Sequence, residues 1–179
     1  MAAIRYASSR SIVVVVALFA LSLGILLNNY ALMSRKAQES ETQLGKARSL
    51  ANTDSLTGVK SKHAWLEKEA EMDEAISAGT AMPFAVAVCD LNGLKHVNDT
   101  LGHKAGDEYI CAAAEMICEL FQHSPVYRIG GDEFVVFLSG RDYENRKELL
   151  SALHDLSVEH ISAGKVVISG GMSEFVPGR

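Results

Sequence analysis

The chain has 179 residues, room for one globular domain of ordinary size plus an appendage. Its formal net charge of −5 gives no electrostatic reason to expect a nucleic-acid polymer as partner. The 3 cysteines, Cys89, Cys111 and Cys118, are odd in number, lack metal-ligand spacing and sit in apolar segments, so they read as reduced core thiols of a cytosolic domain.

Residues 12–27 (IVVVVALFALSLGILL) carry no charge. As a helix they rise ~24 Å against a hydrocarbon core of ~30 Å. Ser11 and residues 28–33 extend the run, with Tyr30 where an interfacial aromatic would sit. The rival is a secretory signal peptide, since Arg5 and Arg10 precede the run, but no small-x-small cleavage site follows Leu27. A retained membrane helix over residues 12–33, behind a short segment 1–11, is the expectation. Arg35, Lys36, Lys46 and Arg48 outnumber Arg5 and Arg10, which puts the C-terminal side in the cytoplasm.

Residues 34–53 are polar, free of proline and rich in Ala, Gln, Glu and Lys, a helical connector by composition. Ala37, Leu44 and Ala51 fall at heptad spacing, so a dimerising stalk and a plain solvated helix both stay open. The globular domain is expected over residues 54–179. It opens on DSLTG (residues 54–58), with Asp54 a candidate cap and Gly58 a loop residue. Lys62–Ser77 reads as a helix with Trp65, Met72 and Ile76 on a core-facing side.

Residues 84–89 (FAVAVC), bounded by Pro83 and Asp90, read as a short buried strand with a carboxylate at its C-terminal end. The next stretch, DLNGLKHVNDTLGHKAGDEY (residues 90–109), is dense in liganding groups. Taken singly, Asp90 and Asp99 are ordinary caps, Asn98 a turn residue, His103 a loop histidine and Lys95 a solvated charge. Residues 105–123 have Ile110, Ala114, Ile117 and Phe121 at helical spacing. Residues 127–138 (YRIGGDEFVVFL) follow: two strand-like segments around Gly130-Gly131, which supply the freedom of a tight hairpin turn. Asp132 and Glu133 are then held at the tip of a sheet as oxygen ligands for a hard cation. Residues 147–160 are a further helix with Leu149, Leu153 and Leu156, and residues 166–168 a strand.

Arg128-Ile129 followed by Gly130-Gly131-Asp132-Glu133-Phe134 resembles the signature of the GGDEF family of diguanylate cyclases. The upstream stretch is similar to that family's D-x-D-x-F-K-x-I-N-D-x-x-G-H-x-x-G-D block, with Asp90, Lys95, Asn98, Asp99, Gly102, His103, Gly106 and Asp107 in place. Asn92 and Leu94 depart from it. DSLTG matches the first half of the family's opening motif, while Ser61 and Lys62 replace its Asn-Arg.

The resemblance implies an α/β (α+β) domain related to polymerase palms, with a largely antiparallel sheet wrapped by helices. It implies condensation of two GTP molecules into cyclic di-GMP, each 3′-hydroxyl attacking the α-phosphorus of the other nucleotide. By family analogy Asp90, the Leu91 carbonyl and Asp132 hold Mg²⁺, with Mn²⁺ as a substitute. Asp132, Glu133 and Lys95 are the catalytic candidates, Asp132 accepting the hydroxyl proton and Lys95 acting on the phosphates. Asn98 and Asp107 are the guanine-reading pair, His103 lies beside them, and Gly130, Gly131 and Arg128 complete the substrate site.

One domain binds one GTP, so the resemblance also implies a homodimer, assembled through the membrane helix and stalk. The inhibitory R-x-x-D site of many members falls on Phe121 and Ser124, which do not fit it. The family's usual A-D-x-A-x-Y-x-A-K helix and last strand have no counterpart before Arg179, so a silent GTP-binding or dimerisation module stands as the alternative to a working cyclase.

Overall fold

A computed structural model describes residues 2–178 and divides the chain into two compact units, one up to Arg48 and one from Ser49. In the first unit the chain is part of one long helix, α1 (Ala2–Ala51), whose final residues belong to the second unit. Its apolar side chains, Leu18, Phe19, Leu26 and Leu27 among them, are exposed. Val16–Ala51 contains an 18-residue window long and apolar enough to cross a membrane.

The second unit is built on a five-stranded sheet in the order β1-β3-β4-β2-β5. Its strands are β1 (Lys60–Ser61), β2 (Phe84–Asn92), β3 (Val126–Arg128), β4 (Glu133–Leu138) and β5 (Val167–Phe175). β1 runs parallel to β3, and every other pairing is antiparallel. The helices are α2 (Lys62–Ser77), α3 (Leu94–Leu101), α4 (His103–Leu120), the short α5 (Gly140–Glu144) and α6 (Arg146–Ala163). The expected α/β architecture with a largely antiparallel sheet is the one observed.

β2 alternates along its length. Ala85, Ala87, Cys89 and Leu91 turn into the main core, where Ile110 and Ile117 of α4 and Leu153 of α6 meet them. The other side of the sheet is covered over β3 and β4 by α2: Ala64, Trp65 and Met72 pack on Tyr127, Val135 and Phe137. Trp65 and Tyr127 meet edge to face with centroids 5.3 Å apart. Burying side chains of this size stabilises by roughly 1.5–3 kcal/mol each, so both faces contribute.

Two local expectations change. The strand expected over residues 84–89 continues to Asn92, because β2 has a hydrogen-bonded neighbour on each side. Its second face is only partly covered, and Val88 is 48% exposed. Ile76 is 38% exposed and stands apart from the core contacts of Trp65 and Met72.

Candidate active site

The site grows out of the pairing of β2 with β4. Asp90 lies directly opposite Glu133 on one side and opposite Ser169 of β5 on the other. The next ladder step is a hydrogen bond from the Leu91 N–H to the Asp132 carbonyl, 3.0 Å. Asp90 and Glu133 are exposed, Asp132 half-buried and Leu91 buried. Three carboxylates, Asp90 from one block of the sequence and the adjacent Asp132 and Glu133 from another, therefore share one end of the sheet.

The turn between β3 and β4 is closed by the Ile129 N–H to the Glu133 carbonyl, 2.9 Å, and by Gly130 to the same oxygen, 3.3 Å. Neither Gly130 nor Gly131 has a positive φ, so the turn does not use the backbone freedom expected of the pair. At Gly130 the demand is spatial: a Cβ there would lie 2.6 Å from Glu133 Oε2. Glycine lets the Glu133 side chain fold over the turn.

Lys95 and Asn98 are carried by α3, and His103 and Asp107 by α4. Lys95, His103 and Asp107 are exposed, and Lys95 has no ion-pair partner among the described residues. α3 and α4 meet at Gly106, which is buried. A Cβ on Gly106 would overlap Asn98 Oδ1 and come within 2.8 Å of Asn98 Cγ. The missing side chain is the seat of Asn98, and it brings that amide beside the residue preceding Asp107. An amide and a carboxylate in this arrangement offer the donor and acceptors that a guanine edge needs.

Arg128, expected at the substrate, uses its guanidinium within the protein. Nη1 donates to Asp54 Oδ1 at 3.1 Å, and Nη2 to the Gly131 carbonyl at 2.8 Å. Its Nε is buried with no partner among the described residues. Asp54 accepts also from the Thr57 amide at 3.0 Å and the Thr57 hydroxyl at 2.7 Å. Burial pushes its pKa up, but the Thr57 hydrogen bonds and Arg128 outweigh it, leaving the carboxyl below its ordinary value. The sequence read Asp54 as a cap; its tie to Arg128 spans 74 positions and has no local signal.

Other positions settle into structural roles. Asn92 donates to Ser169 Oγ at 2.7 Å, an interaction suited to the amide that departs from the family pattern. Cys89, next to Asp90, is fully buried and its thiol is pushed up to about 12, so it is no nucleophile. Phe121 is packed in the core and the Ser124 hydroxyl donates to Asp142, so neither offers an anion-binding group.

No group of three or more His, Cys, Asp or Glu side chains is preassembled around a point among the described residues. The donor set nonetheless fits a hard cation. Like charges directly opposite on a ladder repel, and Asp90 faces Glu133 in just that way. Mg²⁺ is held by one or two carboxylates together with substrate phosphates, not by an all-protein cage.

The sequence profile of the diguanylate cyclase GGDEF domain matches residues 51–173. The chain belongs to the GGDEF diguanylate cyclase family. It is 34% identical over 122 residues to the diguanylate cyclase DgcP of Pseudomonas aeruginosa, covering 68% of this chain and 18% of that protein. It is 37% identical over 106 residues to the cyclic di-GMP phosphodiesterase PdeR of Escherichia coli, covering 59% of this chain and 15% of that one.

Among solved structures, the coiled coil and GGDEF domain of DgcB from Caulobacter crescentus, in complex with c-di-GMP, superposes with a TM-score of 0.66. Identity to it is 24%, with 86% of this chain and 85% of that one covered, a likeness of GGDEF fold. The chain spans about a fifth of the length of the curated relatives it matches first.

Proposed function

We propose that this chain is a membrane-anchored diguanylate cyclase, joining two GTP molecules into cyclic di-GMP with release of pyrophosphate. One observation carries the reading: the strand register that sets Asp90 opposite Glu133, with the Leu91 N–H on the Asp132 carbonyl. It unites at one sheet end the two sequence blocks that resemble the family's site. The domains assigned are a membrane helix over residues 12–33, a stalk over 34–53 and the GGDEF domain from residue 54.

In each half-reaction a 3′-oxygen bonds to the α-phosphorus of the opposing GTP, and the bond from that phosphorus to pyrophosphate breaks. Asp132 takes the hydroxyl proton, and Glu133 beside it adds negative charge that favours the transfer. Lys95 meets the phosphates as a point cation. Asn98 and Asp107 hold the guanine edge with His103 beside them, and the backbone at Gly130 and Gly131 lies open to the phosphates. Arg128 acts on the substrate only through the turn that it braces.

Asp90, the Leu91 carbonyl and Asp132 are the groups that would hold Mg²⁺ or Mn²⁺. When bound, the ion neutralises charge on the pyrophosphate and lowers the pKa of the hydroxyl. One domain supplies one GTP, so two chains must face each other, and pairing through α1 would raise their effective concentration. The positive flank after the apolar run supports a cytoplasmic position for the domain at an inner membrane.

A second reading is favoured by the likeness to PdeR, a protein whose name describes cyclic di-GMP breakdown. There the chain is a silent GTP-binding or dimerisation module. The test is the full chain in detergent with GTP and Mg²⁺, scored by mass spectrometry for cyclic di-GMP, with Asp132→Ala as control. Product that vanishes in the variant supports the cyclase. Mg²⁺-dependent GTP binding without product supports the module.

A further inference from the structure

We propose that Asp54 is a positioning residue for the turn that carries Asp132, acting through Arg128. The proposal rests on the cyclase reading above for its effect on turnover, though its structural half stands apart from it.

Each peptide bond is planar, which leaves two soft dihedrals per residue. The conformation of Asp132 is set by the two peptide planes on either side of it. The following plane is pinned where the Asp132 carbonyl accepts the Leu91 N–H at 3.0 Å. The preceding plane contains the Gly131 carbonyl, which accepts Arg128 Nη2 at 2.8 Å. Gly131 itself is exposed and a Cβ there would meet nothing within 4 Å, so packing does not orient that plane. Arg128 does.

Arg128 in turn needs to be aimed. Its side chain is only 14% exposed, and its second contact is the 3.1 Å ion pair from Nη1 to Asp54. Two N–H groups of one rigid fork are thereby fixed at once, which a lysine could not reproduce. Asp54 is rigid as well. Its N–H donates to the Val59 carbonyl at 2.8 Å, its carbonyl accepts from Gly58 at 2.9 Å, and Thr57 holds its carboxylate twice.

The chain order gives this clamp a further meaning. Asp54 stands three residues beyond Ala51, the last residue of α1, and the intervening stretch is tied into the domain. Asn52 Nδ2 donates to Glu67 at 2.9 Å, and the Ser61 hydroxyl donates to the Ala51 carbonyl. The segment leaving the helix is therefore one ion pair and one hydrogen bond from the peptide plane of the proposed proton acceptor.

The test compares the full chain with Asp54→Asn, Arg128→Lys and Arg128→Gln by steady-state turnover of GTP, thermal melting and peptide-level hydrogen exchange. Each folded variant is expected to lose about 10- to 100-fold in kcat with KM changed less than about threefold, the signature of a displaced reacting group. Exchange in the peptide containing Ile129 and Gly130 is expected to quicken, and Arg128→Lys to behave like Arg128→Gln. Folded variants with wild-type kcat and wild-type exchange would overturn the proposal. So would a loss of activity that tracks only the folded fraction. If the wild-type chain makes no product, the cyclase reading fails; the exchange arm still decides, faster exchange supporting the clamp and unchanged exchange refuting it.

Discussion

Gly106→Ala separates stability from recognition. Asn98 Oδ1 occupies the space a Cβ would take, and Asn98 Cγ and Nδ2 would lie 2.8 and 3.3 Å from it. The obstacle is the far end of a short side chain, so Asn98 can swing to another rotamer at a cost of about 0.5–1.5 kcal/mol. Against that, alanine inside α4 gains about 1 kcal/mol of helix propensity over glycine. The terms nearly cancel, and the melting temperature is expected to stay within a few degrees of wild type. Binding should not survive as well. On the proposed assignment of Asn98 to the base, displacing the amide removes one or two hydrogen bonds to guanine and leaves base atoms unpaired, about 1–3 kcal/mol. At 1.4 kcal/mol per decade this is about a 5- to 140-fold weaker GTP interaction. Calorimetric titration with GTP, run beside a thermal melt, reads both quantities. An unchanged GTP affinity in a well-folded Gly106→Ala protein would refute the assignment of Asn98 to the base.

Further outcomes follow from the core and from the charge pair. Leu153 is 1% exposed and its Cδ2 would lie 2.6 Å from a Cβ on Gly170, so it joins α6 to β5. Leu153→Ala should cost about 2–5 kcal/mol and lower the melting temperature accordingly, with a stability loss within about 0.5 kcal/mol excluding that packing role. The Asp54 carboxyl titrates below its ordinary 3.8 in the folded chain, so its contribution is present above that pH and disappears as the pH falls through the folded value. Melting temperatures measured from pH 6 down to about pH 2.5 should therefore drop more steeply for wild type than for Asp54→Asn. Parallel curves would show that the charge adds nothing to folding.

Local chemistry made much of this fold legible. The helix expected over Lys62–Ser77 is α2 with those same ends, because Ser61 caps it and its apolar residues recur at helical spacing. The helix expected over residues 105–123 instead starts at His103 and ends at Leu120. Gly102 caps its start with no side-chain hydrogen bond, so nothing polar marked it. α3 was not visible as a helix at all, since its residues read as a loop of ligands and none of them is buried. The strand expected over residues 166–168 runs as β5 from Val167 to Phe175, through Gly170 and Gly171. Those glycines carry no strand propensity; β2 supplies the template, pairing with every residue of β5. At the site, the resemblance of their motifs to a known family picked out the Asp90 and Asp132 blocks, whereas the Arg128–Asp54 pair is a product of the tertiary fold.

The site also depends on the core in a way that spacing conceals. Asp90 follows Cys89 and precedes Leu91, both buried, on a strand whose side chains alternate between faces. A slip of β2 by one residue against β4 would drive the Asp90 carboxylate inward, beneath α4, and turn Cys89 out. An unpaired charge there is costly enough to forbid the slipped state. Ala85 and Ala87, with no exposed surface, reinforce the register, because small side chains there let Ile117 and Phe134 pack closely. The alternation that builds the core is thus what sets Asp90 opposite Glu133. Enlarging Ala87 to leucine should therefore disturb the Asp90 end of the strand as well as the packing beneath it.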